Sequence, residues 1–250
     1  MAGALNSVAG GGSFITFPAL VVAGVPPVMA NTTNSVAVWP GMVAATFAYR
    51  DLMREMRRTL LVLGITSFLG GLLGASLLLR TSDAGFMRLV PWLLLLATVI
   101  FSFGGRLTAR LRAPSAGEAP GMRAPTAWTV LVQFAIATYG GYFGGGMGIM
   151  TLAVLGFLGM TDIHAMNGVK AVVTTVINGI SVAAFIVAGK VAWGPGLLMA
   201  VGATASSYMG ATLSRKVNPK WMRRFIVLTA WCMTAAFFAK QYAPHFVGHP

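Results

Sequence analysis

Long apolar runs separated by short polar stretches dominate the pattern of hydrophobic and polar positions. A helix needs about 20 residues to cross the hydrocarbon core of a bilayer, because each residue adds only about 1.5 Å. Runs of this length predict six membrane-spanning helices, at 28–49, 59–79, 86–104, 163–188, 194–213 and 220–239. The pattern therefore predicts an all-α polytopic membrane protein.

The apolar stretch at 128–158 is too long for a single crossing and contains its own interruptions. Glycines occur at 140–141 and again at 144–148, where the sequence is GGGMG. Glycine disfavours a continuous helix by about 1 kcal/mol per residue relative to Ala. We therefore predict two shorter helices separated by unwound backbone. The N-terminal region has a similar run at 10–12, but only nine residues precede it, so we expect a late start or a shortened first arm.

The two halves of the chain repeat each other. At shifts of 134 to 136 residues the matching pairs are Gly10-Gly11-Gly12 with Gly144-Gly145-Gly146, Asn31 with Asn167, Asn34 with Lys170, and 86–88 with 221–223. Internal duplication with Gly-broken segments at matching positions is typical of secondary transporters. We predict a first repeat over 1–105, a basic cytoplasmic linker over 106–126 and a second repeat over 127–250.

Composition supports the membrane assignment. Hydrophobic residues make up 56% of the 250 residues and charged residues only 9%, whereas a soluble domain usually carries about 25% charged residues. There are 18 Lys+Arg and 5 Asp+Glu, a formal net charge of +13. The basic residues cluster between apolar runs, around Arg54, Arg110 and Arg223. This is typical of cytoplasmic loops and argues against a nucleic-acid-binding face.

The positions of the basic residues also favour one relation between the halves. If the repeats are inverted, the three basic clusters share the cytoplasmic side, and only Arg80, Arg88, Lys190 and Lys240 face outward. If the repeats are parallel, the basic residues divide more evenly between the two sides. Because cytoplasmic loops carry an excess of Lys and Arg, we prefer inverted repeats of about four helices, each opening with a Gly-broken helix.

The acidic residues give no sign of a cation site. All five are predicted to lie in loops or at helix ends: Asp51, Glu55, Asp83, Glu118 and Asp162. Cation carriers and proton pumps usually need a carboxylate at membrane depth. The pattern therefore argues against a cation substrate.

One charged residue, Lys170, falls inside an apolar run. A Lys at the centre of a membrane helix costs about 2.5 to 3.5 kcal/mol on insertion scales. The side chain could reach the interface, since it lies within two turns of the predicted helix start. Alternatively, it faces a polar cavity and pairs with an anion. Asn167, Thr174 and Asn178 lie on the same helical face and favour the second interpretation.

The matching helix of the first half carries Asn31 and Asn34 among Ser and Thr residues. Polar residues on equivalent helices predict a shared site near the midplane, although hydrogen bonds between helices alone could explain some of them. The Gly runs add free N–H groups and the positive end of a helix dipole, which suit an anion. The same glycines could instead permit close helix packing, as we expect at Gly70 and Gly74.

Other chemistry finds little support in the sequence. No nucleophile–base pair can be assembled, so an enzyme is the least favoured class. His164 has no second His at metal-ligand spacing, and we expect neither a metal nor a cofactor. A single Cys232 excludes a disulfide framework.

Three segments carry motifs of a known type: NSVAGGGSFITFP at 6–18, GVPPVMANTTNSVAVWPG at 24–41 and AMNGVKAVVTTVING at 165–179. They resemble the sulfite exporter TauE/SafE family, also called the 4-toluene sulfonate uptake permease family, over nearly the whole chain. The resemblance implies a bacterial inner-membrane permease for small sulfur-containing anions such as sulfite or sulfonates. Family members usually begin with a longer apolar arm than this chain carries.

These observations lead to an alternating-access anion carrier, an exporter, whose partners are the lipid bilayer and a small anionic substrate. The chain could form a homodimer. The predicted substrate-binding residues are Lys170, Asn34, Asn31, Asn167, Ser13, Gly11, Gly12, Gly145, Gly146, Thr174 and Asn178. An anion channel and an accessory subunit of a larger transport system are the alternatives.

Overall fold

The computed structural model describes residues 13–49, 56–111, 125–160, 162–202 and 219–242. Within these ranges the chain forms helices joined by short turns, with no strand. In chain order the helices are α1 (Ser13–Val22), α2 (Pro27–Ala48), α3 (Arg57–Arg80), α4 (Asp83–Leu111), α5 (Ala127–Tyr142), α6 (Met147–Phe157), α7 (Ile163–Val187), α8 (193–202) and α9 (Pro219–Tyr242). The all-α prediction is confirmed for the described part of the chain.

Three of the described helices are long and apolar enough to cross a membrane: α3, the Asp83–Ile100 part of α4, and α7. On α3, large apolar side chains such as Leu61, Ile65 and Leu69 are exposed, whereas the buried face is rich in Gly, Ser and Thr. Small and polar residues facing neighbouring helices, with apolar residues outward, is the arrangement expected of a helix surrounded by lipid.

Carboxylates accept hydrogen bonds from backbone N–H groups at the starts of two long helices. Asp162 accepts hydrogen bonds from the N–H groups of His164 (3.0 Å) and Ala165 (3.2 Å) and so caps α7. Asp83, the first residue of α4, accepts a 2.8 Å bond from the N–H of Val28 near the start of α2. Both contacts satisfy N–H groups that a helix start leaves free. The prediction that these two carboxylates lie at helix ends is confirmed; the other three acidic residues lie outside the described ranges.

Glycines allow α3 and α5 to approach closely. A β-carbon at Gly70 would lie 2.7 Å from both Ala137 Cβ and the carbonyl oxygen of Phe134. One at Gly74 would lie 2.8 Å from the backbone nitrogen of Tyr142. Real β-carbons do not approach other atoms this closely, so the two helices could not pack in this way with larger residues. The expected role of Gly70 and Gly74 in helix packing is confirmed.

The predicted interruption in the second half is also confirmed. α5 ends at Tyr142 and α6 begins at Met147. Between them, Gly144 and Gly146 have φ angles of +86° and +80°. Glycine adopts this left-handed region without a steric penalty, whereas a residue with a β-carbon would be strained. We call residues 143–146 the break.

α2 and α7 pack against each other in opposite directions. Trp39 Nε1 of α2 donates to the carbonyl oxygen of Thr175 in α7, at 3.2 Å. Later in α2, Tyr49 packs against Gly168, which is earlier in α7. Because later residues of α2 contact earlier residues of α7, the two helices are antiparallel.

α4 and α9 form a second antiparallel pair. Trp92 Nε1 of α4 donates to the hydroxyl of Tyr242 at 3.1 Å, and the hydroxyl oxygens of Thr98 and Thr234 lie 3.1 Å apart. A later residue of α4 therefore contacts an earlier residue of α9, so the two helices are antiparallel.

Phe17 places the short helix α1 at the centre of the described bundle. It is buried, and its ring centroid lies 6.1 Å from that of Phe86 in α4, 5.9 Å from that of Phe143 in the break and 6.0 Å from that of Phe237 in α9. Such aromatic contacts add to the stabilisation from burial alone. They hold α1 directly against the break.

α4 extends further than the sequence predicts. The apolar run ends at 104, but the helix continues to Leu111, into the segment predicted as linker. The predicted end of this helix, at residue 104, was therefore too early. Residues 106–111 (RLTARL) are mostly strong helix formers, and extending an existing helix is easier than starting one. Residues 112–124 of the predicted linker lie outside the described ranges, as does the predicted run at 194–213 beyond residue 202.

Candidate substrate site

A narrow crevice lies where α1, α2, α4 and the break approach one another. In this conformation it leaves no space for a water-sized molecule, so a ligand would enter it only when these elements move apart. Its lining residues are Ser13, Phe17, Asn31, Asn34, Leu94, Phe143 and Gly145. Four of them are predicted substrate-binding residues: Ser13, Asn31, Asn34 and Gly145. The structure thus brings polar groups of the first half next to the interrupted backbone of the second half.

Two buried asparagines supply most of the polar atoms of the crevice. Asn31 is 1% exposed, and its Nδ2 donates to the carbonyl oxygen of Tyr142 at 2.9 Å. Asn34 is 2% exposed, and its Oδ1 accepts a 2.5 Å bond from the hydroxyl of Thr16. Asn31 Oδ1 has no hydrogen-bond partner among the described residues. These bonds connect α2 to α1 and to the end of α5.

The neighbouring threonines of α2 hold the turn between α7 and α8. The hydroxyl of Thr32 donates to the carbonyl oxygen of Lys190. Thr33 Oγ1 accepts a 2.9 Å bond from the N–H of Ala192. Their hydroxyls therefore bind backbone groups of this turn, and neither threonine lines the crevice.

The start of α6 presents unpaired donors. The N–H groups of residues 145–148 have no hydrogen-bond acceptor in the part of the chain that the structure describes. The first N–H groups of any helix lack an internal partner, and together they form the positive end of the helix dipole. Because Gly145 lines the crevice, these donors begin at its edge. Such a helix start can bind an anion.

Lys170 lies beside this helix start. Its Nζ donates to Asn167 Oδ1 at 2.9 Å, within α7. A β-carbon at Gly148 would lie 3.5 Å from Lys170 Cδ, so the side chain runs along the first turn of α6. The side chain of Lys170 is thus next to the first turn of α6, and Asn167 binds its Nζ; neither residue lines the crevice.

Thr174 and Asn178 are hydrogen-bonded to their own helix. Thr174 Oγ1 donates to the carbonyl oxygen of Lys170 at 2.8 Å, and Asn178 Nδ2 donates to that of Thr174 at 3.2 Å. Asn178 Nδ2 also lies 3.8 Å from Met147 Sδ, at the start of α6. Both side chains are buried and line α7 below Lys170, outside the crevice.

The remaining predicted glycines divide into two groups. Gly146 follows Gly145 and packs against α4, where a β-carbon would lie 3.4 Å from Ala97 Cα. Gly11 and Gly12 lie outside the described residues.

Sequence reasoning missed the apolar walls of the crevice and one of its polar neighbours. Phe17 and Thr16 lie one turn after Ser13 in α1, so helical spacing from Ser13 was a signal that could have found them. Leu94 and Phe143 carry no such signal, because only the packing of α1 between α4 and the break brings them there.

The described ranges contain no group of three or more His, Cys, Asp or Glu side chains that could hold a metal ion. Around the crevice and the start of α6, the polar groups are side-chain amides, hydroxyls, backbone N–H groups and the ammonium group of Lys170. This donor-rich chemistry suits an oxyanion.

The chain is similar to known proteins over almost its full length. A family model described as sulfite exporter TauE/SafE matches residues 1–237. A "Probable membrane transporter protein" of Haemophilus influenzae is 29% identical over 243 residues, covering 97% of this chain and 92% of that protein.

Two further relatives have similar names. "Probable membrane transporter protein YfcA" of Escherichia coli K12 is 28% identical over 240 residues, covering 94% of this chain and 85% of the relative. "Probable membrane transporter protein ORF9" of a Sinorhizobium species is 26% identical over 250 residues, covering 98% and 91%. No solved structure matches the chain significantly.

Proposed function

The chain belongs to the sulfite exporter TauE/SafE family of membrane transporters, and we propose that it exports small sulfur-containing anions, such as sulfite or organosulfonates, by alternating access. In this proposal it is a multi-pass protein of a bacterial inner membrane and works without a cofactor. The observation that carries the proposal is the start of α6, where unpaired N–H groups lie beside the side chain of Lys170.

The chemistry of this helix start matches a sulfonate or sulfite group. Each presents a compact set of acceptor oxygens with negative charge, and several converging N–H and O–H donors can bind it. Residues 145–148 offer backbone N–H groups, and Ser13 and Asn34 offer side-chain donors across the crevice. Hydrogen bonds to a charged partner contribute about 1.5 to 3 kcal/mol each, which makes this donor set selective for an anion.

Lys170 supplies the charge in this proposal. An ammonium group has three N–H donors, and only one is directed at Asn167 Oδ1, at 2.9 Å. The amide thereby positions Nζ, while the remaining donors are available to a substrate oxygen. A bound anion would also neutralise a cation whose burial in an apolar helix is otherwise costly.

Contacts between equivalent residues support inverted repeats. Trp39 and Thr175 are related by the 136-residue shift that also pairs Asn31 with Asn167, and they contact each other. Thr98 contacts Thr234, one residue from the position made equivalent by the 135-residue shift that pairs 86–88 with 221–223. Residues related by a two-fold axis contact each other where the axis passes between them. Both helix pairs are antiparallel, as an axis in the membrane plane requires and an axis along the membrane normal forbids.

The positions of two turns support the same topology. Asp83, at the turn between α3 and α4, binds the N–H of Val28, and Lys190, after α7, binds the hydroxyl of Thr32. Val28 and Thr32 are one helical turn apart at the start of α2, so both turns lie at the same end of the bundle. Inverted repeats place these two turns on one side of the membrane, whereas parallel repeats separate them.

In the proposed cycle, the repeats rock about the midplane site and the glycines of the break absorb the change in backbone angles. The inside-negative membrane potential drives an anion outward by about 2.3 kcal/mol per charge per 100 mV. Export of a monoanion therefore needs no coupling ion.

Flux in proteoliposomes tests the proposal. Vesicles containing the purified chain should take up labelled sulfite or 2-hydroxyethanesulfonate with saturation, and unlabelled substrate inside should accelerate uptake. Such trans-stimulation is a property of a carrier, whereas a channel shows none. Flux that is absent for both anions would contradict the substrate assignment, and flux that requires a proton or sodium gradient would contradict the coupling.

A further inference from the structure

Asn31 contains a buried hydrogen-bond acceptor without a partner. Its side chain is 1% exposed and lines the crevice, and Oδ1 has no partner among the described residues. The orientation of the amide is fixed, because Nδ2 donates to the carbonyl oxygen of Tyr142 at 2.9 Å. A flipped amide would place two acceptor oxygens against each other. Buried acceptors in native proteins nearly always have a donor.

The other polar side chains that line the crevice, Ser13 and Asn34, do not donate to Asn31 Oδ1. Asn34 Oδ1 already accepts from the hydroxyl of Thr16, so its amide nitrogen is the part available to a ligand. Ser13 and the N–H of Gly145 are donors as well. The crevice therefore combines several donors, which suit the oxygens of an anion, with one acceptor, which suits an O–H or N–H group.

We propose that Asn31 Oδ1 accepts a hydrogen bond from the substrate itself, so that the carrier selects oxyanions that carry a hydrogen-bond donor. This inference rests on the proposed anion-carrier function and narrows its substrate class. Hydrogen sulfite, with one proton, fits the class, and so does a sulfonate with a hydroxyl group. A sulfonate whose remaining atoms are all apolar does not.

Discrimination follows from the cost of leaving a buried polar group unpaired. A site built to bind a substrate O–H or N–H rejects an analogue that lacks it far more strongly than an apolar pocket rejects one extra methyl group. For a single acceptor in a partly polar crevice, we expect anions with an O–H or N–H group to be preferred at least about tenfold over anions without one.

A matched pair of sulfonates tests the inference in the wild-type protein. Counterflow into proteoliposomes is measured for 2-hydroxyethanesulfonate and for propane-1-sulfonate, in which a methyl group replaces the hydroxyl. We expect at least about tenfold faster uptake of the hydroxylated anion at limiting concentration. Equal uptake would overturn the inference and leave the carrier function standing. If neither sulfonate nor sulfite is carried, the proposed function itself fails and this inference with it.

Two buried amides provide a variant and its control. Asn31→Leu removes the acceptor, so the preference should fall to about one. Gln133 is also buried with an unpartnered oxygen, but it binds Ser67 between α5 and α3, away from the crevice lining. Gln133→Leu should therefore keep the wild-type preference. A preference that survives Asn31→Leu would contradict the assignment to Asn31, and if this variant does not fold, the wild-type comparison decides alone.

The pH dependence of sulfite uptake gives a second readout. Sulfite loses its proton near neutral pH, whereas the charge and hydroxyl of 2-hydroxyethanesulfonate do not change there. Sulfite flux should fall as pH rises through neutrality, while flux of the sulfonate stays constant. A sulfite flux that rises with pH would contradict the requirement for a donor.

Discussion

Three ionisable side chains of the described bundle have two different roles. Asp83 and Asp162 bind N–H groups at the starts of α2 and α7. Lys170 instead lies along the first turn of α6, next to N–H groups that have no acceptor. The carboxylates therefore stabilise helix starts, whereas Lys170 is the cation that we propose binds the anion.

Removing the Asp83 cap should destabilise the protein without changing its substrate preference. Asp83→Ala leaves the N–H of Val28 without its 2.8 Å partner, and loss of such a cap typically costs about 1 kcal/mol. Asp83→Asn keeps an acceptor and should retain most of the stability. Thermal unfolding of the detergent-solubilised variants measures this; equal losses in the two variants would contradict a capping role for the hydrogen bond.

Helical spacing identified which polar residues of α7 share a face, but it could not show what each one binds. Lys170, Thr174 and Asn178 follow one another at intervals of four residues, yet Thr174 and Asn178 donate to carbonyls of their own helix. Hydroxyl and amide groups can always form such local bonds, so sequence alone does not separate them from ligand-binding groups. Their role in substrate binding stays a prediction.

At the scale of elements, glycine has two distinct uses in this chain. In the break, Gly144 and Gly146 adopt positive φ angles. In α3, Gly70 and Gly74 are helical and bring the helix against α5. The first use forms the break, and the second allows backbone contact between α3 and α5.

Two substitutions in α3 separate packing from helix propensity. Gly74→Ala would place a β-carbon 2.8 Å from the backbone nitrogen of Tyr142, so α3 and α5 must separate. We expect a loss of about 1 to 3 kcal/mol. Gly64→Ala meets no atom within 4 Å and should raise stability by up to about 1 kcal/mol through helix propensity.

Thermal unfolding of both variants, compared with wild type, provides the measurement. If Gly74→Ala is as stable as Gly64→Ala, the close approach of the two helices is not maintained in the folded protein.

The sequence predicted the break but not the full length of α4, and the reason is local. Six glycines within 140–148 oppose a continuous helix whatever lies around them. The end of α4 has no comparable signal, because residues 106–111 are both polar enough for a loop and favourable for a helix. Charge patterns locate the membrane boundary, and helices can continue past it.

In the whole molecule, the two halves of the chain bring two of their turns to the same end of the described bundle. The turns at Ser82 and at Lys190 both lie at the start of α2. Inverted repeats place them on the same side of the membrane, opposite the predicted linker at 106–126.

Thiol labelling tests this topology. Cys232 is exposed and is first replaced by Ser; Ser82→Cys, Lys190→Cys and Ser115→Cys are then introduced singly. In intact cells, an impermeant thiol reagent should label the first two, whereas Ser115→Cys should react only after permeabilisation. Labelling of Ser82→Cys and Lys190→Cys from opposite sides would establish parallel repeats instead.

The internal duplication predicted which helices of the two halves are equivalent, and the structure shows which of their residues are in contact. The repeat shift of 134 to 136 residues is visible in the sequence, but the contact of Thr98 with Thr234 depends on packing between distant segments. The apolar wall of the crevice at Leu94 and Phe143 arises in the same way. Polar candidates could therefore be predicted residue by residue, whereas the shape of the site required the fold.

Sulfite flux of Lys170 variants tests whether Lys170 binds the transported anion. Proteoliposomes containing wild type, Lys170→Ala, Lys170→Arg and Lys190→Ala are compared, since Lys190 is an exposed Lys outside the crevice. Loss of a charged hydrogen-bond donor predicts about 10- to 100-fold lower flux for Lys170→Ala, with partial activity in Lys170→Arg and normal flux in Lys190→Ala. If folded Lys170→Ala carries sulfite as well as wild type, Lys170 does not bind the anion, and the proposed site is wrong in its central residue.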